Sequence, residues 1–259
     1  MAIKPILFST PMVQAILEGR KTQTRRIQGL DSKNEFPDVW NRKGDPRQTK
    51  NRIWDSSKEK NPNPISIEFG FRHNEYPDGD VAYMKSRVKP GDILWVRETW
   101  CLTQPFGPED YHFGYRMGEH SSNKASEKYD YSSPNVWKPS IHMPKEACRI
   151  FLEVTNVRVE RLQDISEQDA IAEGIELTDD YWGADGSKNY MYGEEKGFKH
   201  EFFFADGLYG IEKTPSVNGI ISSFFTLIAS LHSWELLQSN PWVWVYDFKR
   251  TEEPENFLK

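Results

Sequence analysis

The sequence predicts an α+β protein with a small mixed β core, a few flanking helices and two long insertions. Three observations support this prediction. Short segments with the hydrophobic period of a β-strand occur along the whole chain, only a few segments have helical spacing, and two long polar stretches separate them. The length of 259 residues fits one large domain that carries insertions. We therefore predict a single domain over residues 1–259.

The N-terminal segment predicts a helix followed by a strand. Thr10 and Pro11 suit an N-cap and a first helical position, and Gly19 is placed to end the helix. Residues 20–27 (RKTQTRRI) have the alternation of a strand that leaves this helix. The next stretch, about 30–81, is rich in Asn, Asp, Lys and Pro, and predicts the first insertion over the surface.

The middle of the chain contains two predicted strands. A turn at residues 89–92 (KPGD) precedes a strand at 93–98 (ILWVRE). Residues 102–139 are rich in Tyr, Gly and Ser and are predicted to form a loop. Residues 148–162 (CRIFLEVTNVRVERL) alternate clearly and predict a strand or a pair of strands.

The C-terminal part predicts two helices and a final strand. Ser166 is a suitable N-cap and Gly174 a suitable end for a short helix with an acidic first turn. A second polar and aromatic stretch, about 176–216, predicts the second insertion, and 220–237 predicts an amphipathic helix. The final strand, 242–248, carries four aromatic residues on one face, and their period favours a core position over a base-stacking platform.

Composition and charge exclude a generally basic nucleic-acid binder. The chain has 33 Lys and Arg residues against 39 Asp and Glu residues, which gives a net charge of -6. Nine Trp residues and 37% hydrophobic residues are typical of a folded protein. Any contact with nucleic acid must therefore come from a local patch.

The cysteines, histidines and apolar segments indicate no metal, cofactor or membrane. Cys101 and Cys148 each lack a second cysteine at metal-ligand or redox spacing, which argues against a disulfide framework. The six His residues form no HExxH pattern. The longest apolar segment, 219–231, is too short and too rich in Ser to span a bilayer. We predict a soluble cytoplasmic protein with no membrane partner.

The segment from Glu18 to Arg26 (EGRKTQTRR) is the strongest candidate for a functional site. It concentrates four cations and two threonine hydroxyls in nine residues. One interpretation is a solvated basic strand after a helix C-terminus, where cations are favoured. The other is an anion or nucleotide site, in which Arg25 or Arg26 binds phosphate and the hydroxyls bind a base or sugar.

This segment resembles the ASCH domain, a family of PUA-like β-barrels linked to RNA and modified nucleosides. The resemblance rests on the run 19–25 (GRKTQTR), the strand start 91–94 (GDIL) and the helix 166–174. The chain is most similar to a longer ASCH type found in tailed phages and prophages, through four further motifs. These are 5–8 (PILF), 137–144 (WKPSIHMP), 158–164 (RVERLQD) and 240–244 (NPWVW). The resemblance implies a PUA-like mixed β-barrel with few flanking helices and two insertions.

The resemblance also implies three catalytic residues. One bacterial subgroup of small ASCH proteins removes the acyl group from the exocyclic amine of acetylcytidine. Its catalytic Lys and Thr match Lys21 and Thr24, and its catalytic Glu matches Glu173 on the 166–174 helix. A Thr hydroxyl becomes a useful nucleophile when a neighbouring base accepts its proton, and Lys21 accepts a proton only when it is neutral. Nearby arginines favour the neutral form, whereas an ion pair with Glu173 opposes it.

Strand geometry and burial leave alternatives open for these residues. In a regular strand, Lys21 shares a face with Gln23 and Arg25, whereas Thr24 points to the other face, so convergence requires a turn in the chain. A carboxylate such as Glu173 in the last turn of a short helix is more often solvated than functional.

Further residues are candidates for binding a nucleotide or nucleic acid. In the basic segment these candidates are Arg25, Arg26 and also Arg20. Elsewhere, polar groups at a strand end suit contacts with a base or sugar, and the alternative is an ordinary salt-bridged strand end. Aromatic faces bind splayed bases, and the alternative is a Trp that anchors its loop. These further candidates are Arg97, Glu98, Trp100, Trp137, Ser140 and His142.

Three functions remain compatible with the sequence. The first is a module that binds a nucleoside, RNA or DNA without chemistry of its own. The second is an acylcytidine amidohydrolase that uses Lys21, Thr24 and Glu173. The third is a nuclease, an activity attributed to some ASCH proteins, although the sequence contains no clear carboxylate cluster for a divalent metal. The residues alone leave open whether the protein is an enzyme.

Overall fold

The computed structural model describes most of the N-terminal, central and C-terminal parts of the chain. The described residues are 1–35, 51–54, 66–71, 82–104, 111–117, 125, 129, 135–175 and 219–258. The second predicted insertion, 176–216, lies outside the described residues, and so does most of the first, 30–81.

The chain divides into two compact units. Unit 1 is formed by residues 1–19, 90–156 and 248–259, and unit 2 by residues 20–89 and 157–247. Two long strands each contribute residues to both units, so this division does not test the prediction of one domain.

Two α-helices and eight strands lie among the described residues of the N-terminal half. Helix α1 begins after Ser9, which is the N-cap, so Thr10 is already helical. Gly19 follows the helix with a φ of 78°, a left-handed conformation that glycine adopts without strain. The elements are β1 (Ile3–Leu7), α1 (Thr10–Leu17), β2 (Gln23–Arg26), α2 (Asp31–Asn34), β3 (Asn51–Trp54), β4 (Ser66–Phe71), β5 (Ala82–Lys85), β6 (Ile93–Arg97), β7 (Trp100–Thr103) and β8 (His112–Tyr115).

Two long strands and three α-helices lie among the described residues of the C-terminal half. The predicted strand or strand pair at 148–162 is one strand. The elements are β9 (Phe151–Arg161), α3 (Glu167–Ala172), α4 (Gly219–Leu231), α5 (Trp234–Gln238) and β10 (Trp242–Thr251). No described helix is long and apolar enough to cross a membrane.

The main sheet is mixed, as predicted. It has five strands in the order β1-β6-β9-β10-β2. Strand β1 runs parallel to β6, whereas the pairs β6/β9 and β10/β2 are antiparallel. In the part of the chain that the structure describes, β1 and β2 are the outer strands of this sheet and no pairing closes it. The fold is therefore α+β with a β core and few helices.

Unit 1 has a core of aromatic side chains. The rings of Trp95 and Phe151 pack against Phe257, with centroid separations of 5.7 and 4.8 Å. A second cluster surrounds Trp100 and Phe113 on the β7/β8 pair. Such tilted and edge-on contacts are the favoured geometries for aromatic pairs, and they fix the strands that carry them.

Unit 2 has a core formed between β10 and the helices. Val243 and Val245 lie on one face of β10 and belong to a buried cluster with Phe224, Phe225 and Leu237. The aromatic residues on the other face of the strand are buried too, so both faces of β10 are covered. The interpretation of the aromatic stripe as core is confirmed. The stripe consists of Trp242, Trp244, Tyr246 and Phe248.

Two sequence predictions about local structure were wrong. The predicted helix 220–237 is two helices, because Ser233 accepts a hydrogen bond from the Leu236 N–H and starts a new helix. The predicted loop 102–139 contains the β7/β8 pair, whose short strands were hidden by flanking polar residues. The stretch 30–81, predicted as the first insertion, contains β3 and β4, which pair with each other, and β4 pairs with β5. These strands do not contradict an insertion.

Both cysteines are free and buried, and we predict that their thiols are unreactive in the native protein. Burial raises the pKa of Cys148 to about 12 and also raises the pKa of Cys101. A thiol with a raised pKa is protonated near neutral pH, and the nucleophile is the thiolate. Ellman's reagent should therefore label neither cysteine in the native protein and both in concentrated urea. Rapid labelling of either thiol without urea would contradict this prediction.

Candidate active site

Local signals in the sequence define the helix that ends at Glu173. Ser166 caps α3 by accepting a hydrogen bond from the Asp169 N–H at 3.1 Å. Gly174, with a φ of 89°, ends the helix as predicted. The chain then forms an antiparallel bridge in which Glu173 pairs with Lys21. Glu173 is therefore fixed by backbone structure on both sides.

Lys21 and Glu173 form a buried ion pair. Lys21 Nζ lies 2.6 Å from Glu173 Oε2, and the two residues are 2% and 5% exposed. The ammonium also donates to the carbonyl oxygens of Gln23 and Glu173, at 2.8 and 2.9 Å. The expectation that a carboxylate at this helix end is solvated was wrong here, because the bridge to Lys21 buries it.

Opposing effects act on the charge of Lys21. Burial lowers the pKa of Lys21 because it disfavours the charged form. Glu173 raises the pKa through its charge and its hydrogen bond, and the positive charges of Arg26 and Arg25 lower it again. The net direction is downward, so the neutral amine that a general base requires is more accessible than in an exposed lysine.

Arg25 connects this pair to further carboxylates. Its Nη1 donates to Gln23 Oε1 at 2.6 Å and to Glu173 Oε1 at 3.1 Å. Its Nη2 lies 2.5 Å from Glu160 Oε1 and 3.5 Å from Asp169 Oδ2. The residue is 7% exposed. A phosphate could reach this guanidinium only by displacing carboxylates that already bind it.

Arg158 extends the network on the same side of β2. It donates to both oxygens of Asp247, at 3.1 and 3.0 Å, and to Asp169 Oδ1 at 2.9 Å. Gln23 Nε2 donates to the same two carboxylates, at 2.9 Å to Asp169 and 2.6 Å to Asp247. The side chains on this face are therefore mutually oriented. We call this set the carboxylate network, and it consists of Gln23, Arg25, Arg158, Glu160, Asp169, Glu173 and Asp247.

We predict that Asp169 makes folding stability depend on pH in the acid range. Burial raises its pKa, but the hydrogen bond from Gln23 and the charges of Arg158 and Arg25 outweigh this effect and lower it overall. The resulting stabilisation is present above the unfolded pKa of about 3.9 and is lost as pH falls through the folded value. Urea unfolding from about pH 5 downward should show a shallower loss of stability in Asp169→Asn than in the wild type. Identical pH slopes would contradict the prediction.

Thr24 lies on the opposite face of β2 from Gln23 and Arg25, as strand alternation predicted. It is 2% exposed and is the register partner of Tyr246 on β10. Lys21 does not follow the regular alternation into β2, because it belongs to the bridge that precedes the strand. Its ammonium lies beside the β2 backbone, at the carbonyl oxygen of Gln23.

The remaining two arginines of the basic segment have different surroundings. Arg26 is half-buried and pairs in register with Trp244. Burial lowers the pKa of Arg26, and the negative charge of Glu173 opposes this effect. Arg20 Nη1 donates to the carbonyl oxygen of Gly174 at 3.0 Å and so helps to hold the end of α3.

The other predicted binding residues belong to unit 1. Glu98 is buried and binds Arg149 through both of its oxygens, at 2.9 and 3.0 Å, and burial raises the pKa of Glu98. Trp100 is 3% exposed and lies in the unit 1 core. Arg97 donates to the carbonyl oxygen of Ile141. These three residues are thus engaged inside unit 1.

The 137–142 segment of unit 1 is more open. Trp137 is 38% exposed, and the Arg116 guanidinium lies 4.2 Å from its ring centroid. His142 is exposed and Ser140 is half-buried. In the described part of the chain, no group of three His, Cys, Asp or Glu side chains is arranged to hold a metal ion.

Sequence reasoning missed most of the carboxylate network. Arg158 and Glu160 were noted only as part of a motif, although their spacing of two places them on one face of a strand. Asp169 carried a signal too, since it lies three residues after the N-cap Ser166. Asp247 carried no local signal, because its role depends on the pairing of β10 with β2.

No family model, curated protein or solved structure matches this chain. The resemblance to ASCH proteins therefore stays a prediction from the motifs.

Proposed function

We propose that the chain is a PUA-like ASCH protein that binds a nucleobase-containing ligand and hydrolyses the acyl group from the exocyclic amine of an acylcytidine. The observation that carries this proposal is the buried contact of 2.6 Å between Lys21 and Glu173, which are 152 positions apart. Two residues that the motif names as catalytic are thus in direct contact. The third, Thr24, is buried on the adjacent strand β2.

The proposed reaction requires the Thr24 hydroxyl and the Lys21 amine to meet at the bound substrate. The Thr24 hydroxyl oxygen attacks the acyl carbon, and its proton passes to neutral Lys21. The bond between the acyl carbon and the exocyclic nitrogen breaks, and Lys21 returns the proton to the leaving amine. Water then attacks the ester on Thr24 with Lys21 again as the base, which releases the carboxylic acid and restores the hydroxyl.

Glu173 and Arg25 control Lys21 in this scheme. Glu173 orients the amine through its 2.6 Å contact and stabilises the ammonium that forms after proton transfer. Arg25 binds the other oxygen of Glu173 at 3.1 Å and so reduces the negative charge that Lys21 experiences. Burial of Lys21 and the positive charges of Arg26 and Arg25 lower the pKa of Lys21 and so keep its neutral amine accessible.

The test is a mass-spectrometric assay for conversion of N4-acetylcytidine and longer acylcytidines to cytidine by the wild-type protein. The proposal expects turnover above the rate without protein. Absence of turnover from protein with a native circular dichroism spectrum would overturn the catalytic part of the proposal.

A binding protein without catalysis is the second candidate. The hydrogen bonds of Lys21 favour this candidate. The ammonium donates to the carbonyl oxygens of Gln23 and Glu173 and to Glu173 Oε2, which accounts for all three of its hydrogens. Such an arrangement also suits a purely structural ion pair. This candidate predicts that calorimetry detects binding of acetylcytidine and that the conversion assay detects no cytidine. Conversion at any rate that depends on Thr24 would exclude it.

A further inference from the structure

The face of β2 that carries Thr24 also carries the cationic side chain of Arg26. Register pairs Thr24 with Tyr246 and Arg26 with Trp244 across the β2/β10 ladder. Directly paired residues of an antiparallel ladder have Cβ atoms about 4.5–5.5 Å apart, and diagonal neighbours lie about 7–8 Å apart. Tyr246 is therefore the direct neighbour of Thr24 and a diagonal neighbour of Arg26, whose side chain is long enough to reach the Tyr246 ring.

The segment after β5 adds a hydroxyl and a second guanidinium to this face. The Ser86 side chain forms a hydrogen bond with that of Tyr246, and Ser86 is itself fixed by hydrogen bonds with Val88. Arg87 follows Ser86 in sequence, is exposed and donates to Gln28 Oε1 at 3.3 Å. The charges of Arg87 and Arg26 both act on the phenol of Tyr246.

His232, just after α4, adds a third basic group. Burial lowers the pKa of His232, and the positive charge of Arg26 lowers it further. His232 and Arg87 are exposed, Arg26 is half-buried and Tyr246 is 5% exposed. Arg87 and His232 are thus open to solvent, Arg26 is partly covered, and Tyr246 is buried.

We propose that Arg26 and Arg87 bind the phosphate of a cytidine nucleotide whose base lies at Thr24, so that the substrate is a nucleotide rather than a free nucleoside. Guanidinium groups bind phosphate through paired hydrogen bonds, and such bonds are stronger where water is partly excluded. Arg25 is unsuited to this role, because carboxylates occupy both of its Nη atoms. The inference rests on the proposed function for the position of the base.

The experiment is isothermal titration calorimetry of the full chain with cytidine 5′-monophosphate, with cytidine and with inorganic phosphate. These ligands require no turnover, so the result does not depend on whether acylcytidine is hydrolysed. We expect the monophosphate to bind at least about tenfold more tightly than cytidine, as charge-assisted hydrogen bonds to phosphate imply. Arg26→Gln and Arg87→Gln should each remove about tenfold of that preference and leave cytidine binding unchanged.

The controls separate this site from a general charge effect and from misfolding. Arg250→Gln removes an exposed cation of unit 1 and should leave all affinities unchanged. Arg87 is exposed, so Arg87→Gln tests the site even where Arg26→Gln fails to fold.

Four results would overturn the inference. These are no binding of the monophosphate, equal affinity for monophosphate and cytidine, a preference unchanged in Arg87→Gln, and inorganic phosphate binding as tightly as the monophosphate. The last result would assign the cluster to free phosphate. Acylcytidine turnover combined with any of them would leave the proposed function intact. A phosphate preference that depends on Arg87, without turnover, would overturn only the proposed function.

Discussion

The Lys21→Met variant is expected to lose acylcytidine hydrolysis by about 10²–10⁴-fold in kcat/KM, the usual contribution of a positioned general base. Methionine keeps the unbranched apolar stem but provides no amine to accept the Thr24 proton. In this variant Glu173 keeps its contact with Arg25. The measurement is the mass-spectrometric conversion assay over a range of substrate concentrations.

Lys249→Met is the matched control for this variant. Lys249 also pairs with a glutamate, Glu153, at 3.1 Å, but its side chain is 63% exposed and it lies in unit 1. We expect wild-type activity from it, since exposed ion pairs contribute little. A natively folded Lys21→Met protein that kept activity within a few-fold of the wild type would contradict the assignment of Lys21 as the base.

The Arg25→Met variant is expected to lower the free energy of unfolding by about 3 kcal/mol, because it removes a buried cation that binds the buried Glu173 and two half-buried carboxylates. The Arg25 side chain is 2% exposed and binds Glu173, Glu160 and Asp169. Methionine fills a similar volume, so most of the loss reflects the missing ion pairs rather than a cavity. Urea unfolding followed by circular dichroism at neutral pH measures the change.

Arg158→Met provides the comparison for Arg25→Met. Arg158 binds three carboxylates as well, but its side chain is 29% exposed and water screens the charges that remain after substitution. We expect a clearly smaller loss of stability. Equal losses in the two variants, or a loss of less than about 1 kcal/mol in Arg25→Met, would show that burial of the network is not what makes it stabilising.

Local signals predicted the elements that carry the candidate site. The helix α3 was predictable because Ser166 and Gly174 are cap residues whose preferences arise from nearby backbone groups. The strands β9 and β10 were predictable from their period, which burial on a sheet imposes. The alternation that separates Thr24 from Arg25 followed from the same period.

Long-range contacts were not predictable from these signals. The contact between Lys21 and Glu173 joins residues 152 positions apart, and only the resemblance to a family motif suggested it. The contacts of Asp247 with Arg158 and Gln23 depend on register between strands, which no single segment encodes. The split between α4 and α5 was missed because the apolar period continues on both sides of Ser233.

The most direct test of the central claim compares acylcytidine turnover by Thr24→Ser and Thr24→Val. Serine keeps the hydroxyl, whereas valine keeps the shape of threonine and removes it. Thr24 is buried at 2% exposure, so urea unfolding of both variants shows whether each is folded. If Thr24 is the nucleophile, Thr24→Ser retains measurable turnover and a transient acyl ester on Ser that peptide mass spectrometry detects, and folded Thr24→Val has none. Turnover by folded Thr24→Val at a rate near that of the wild type would contradict the account.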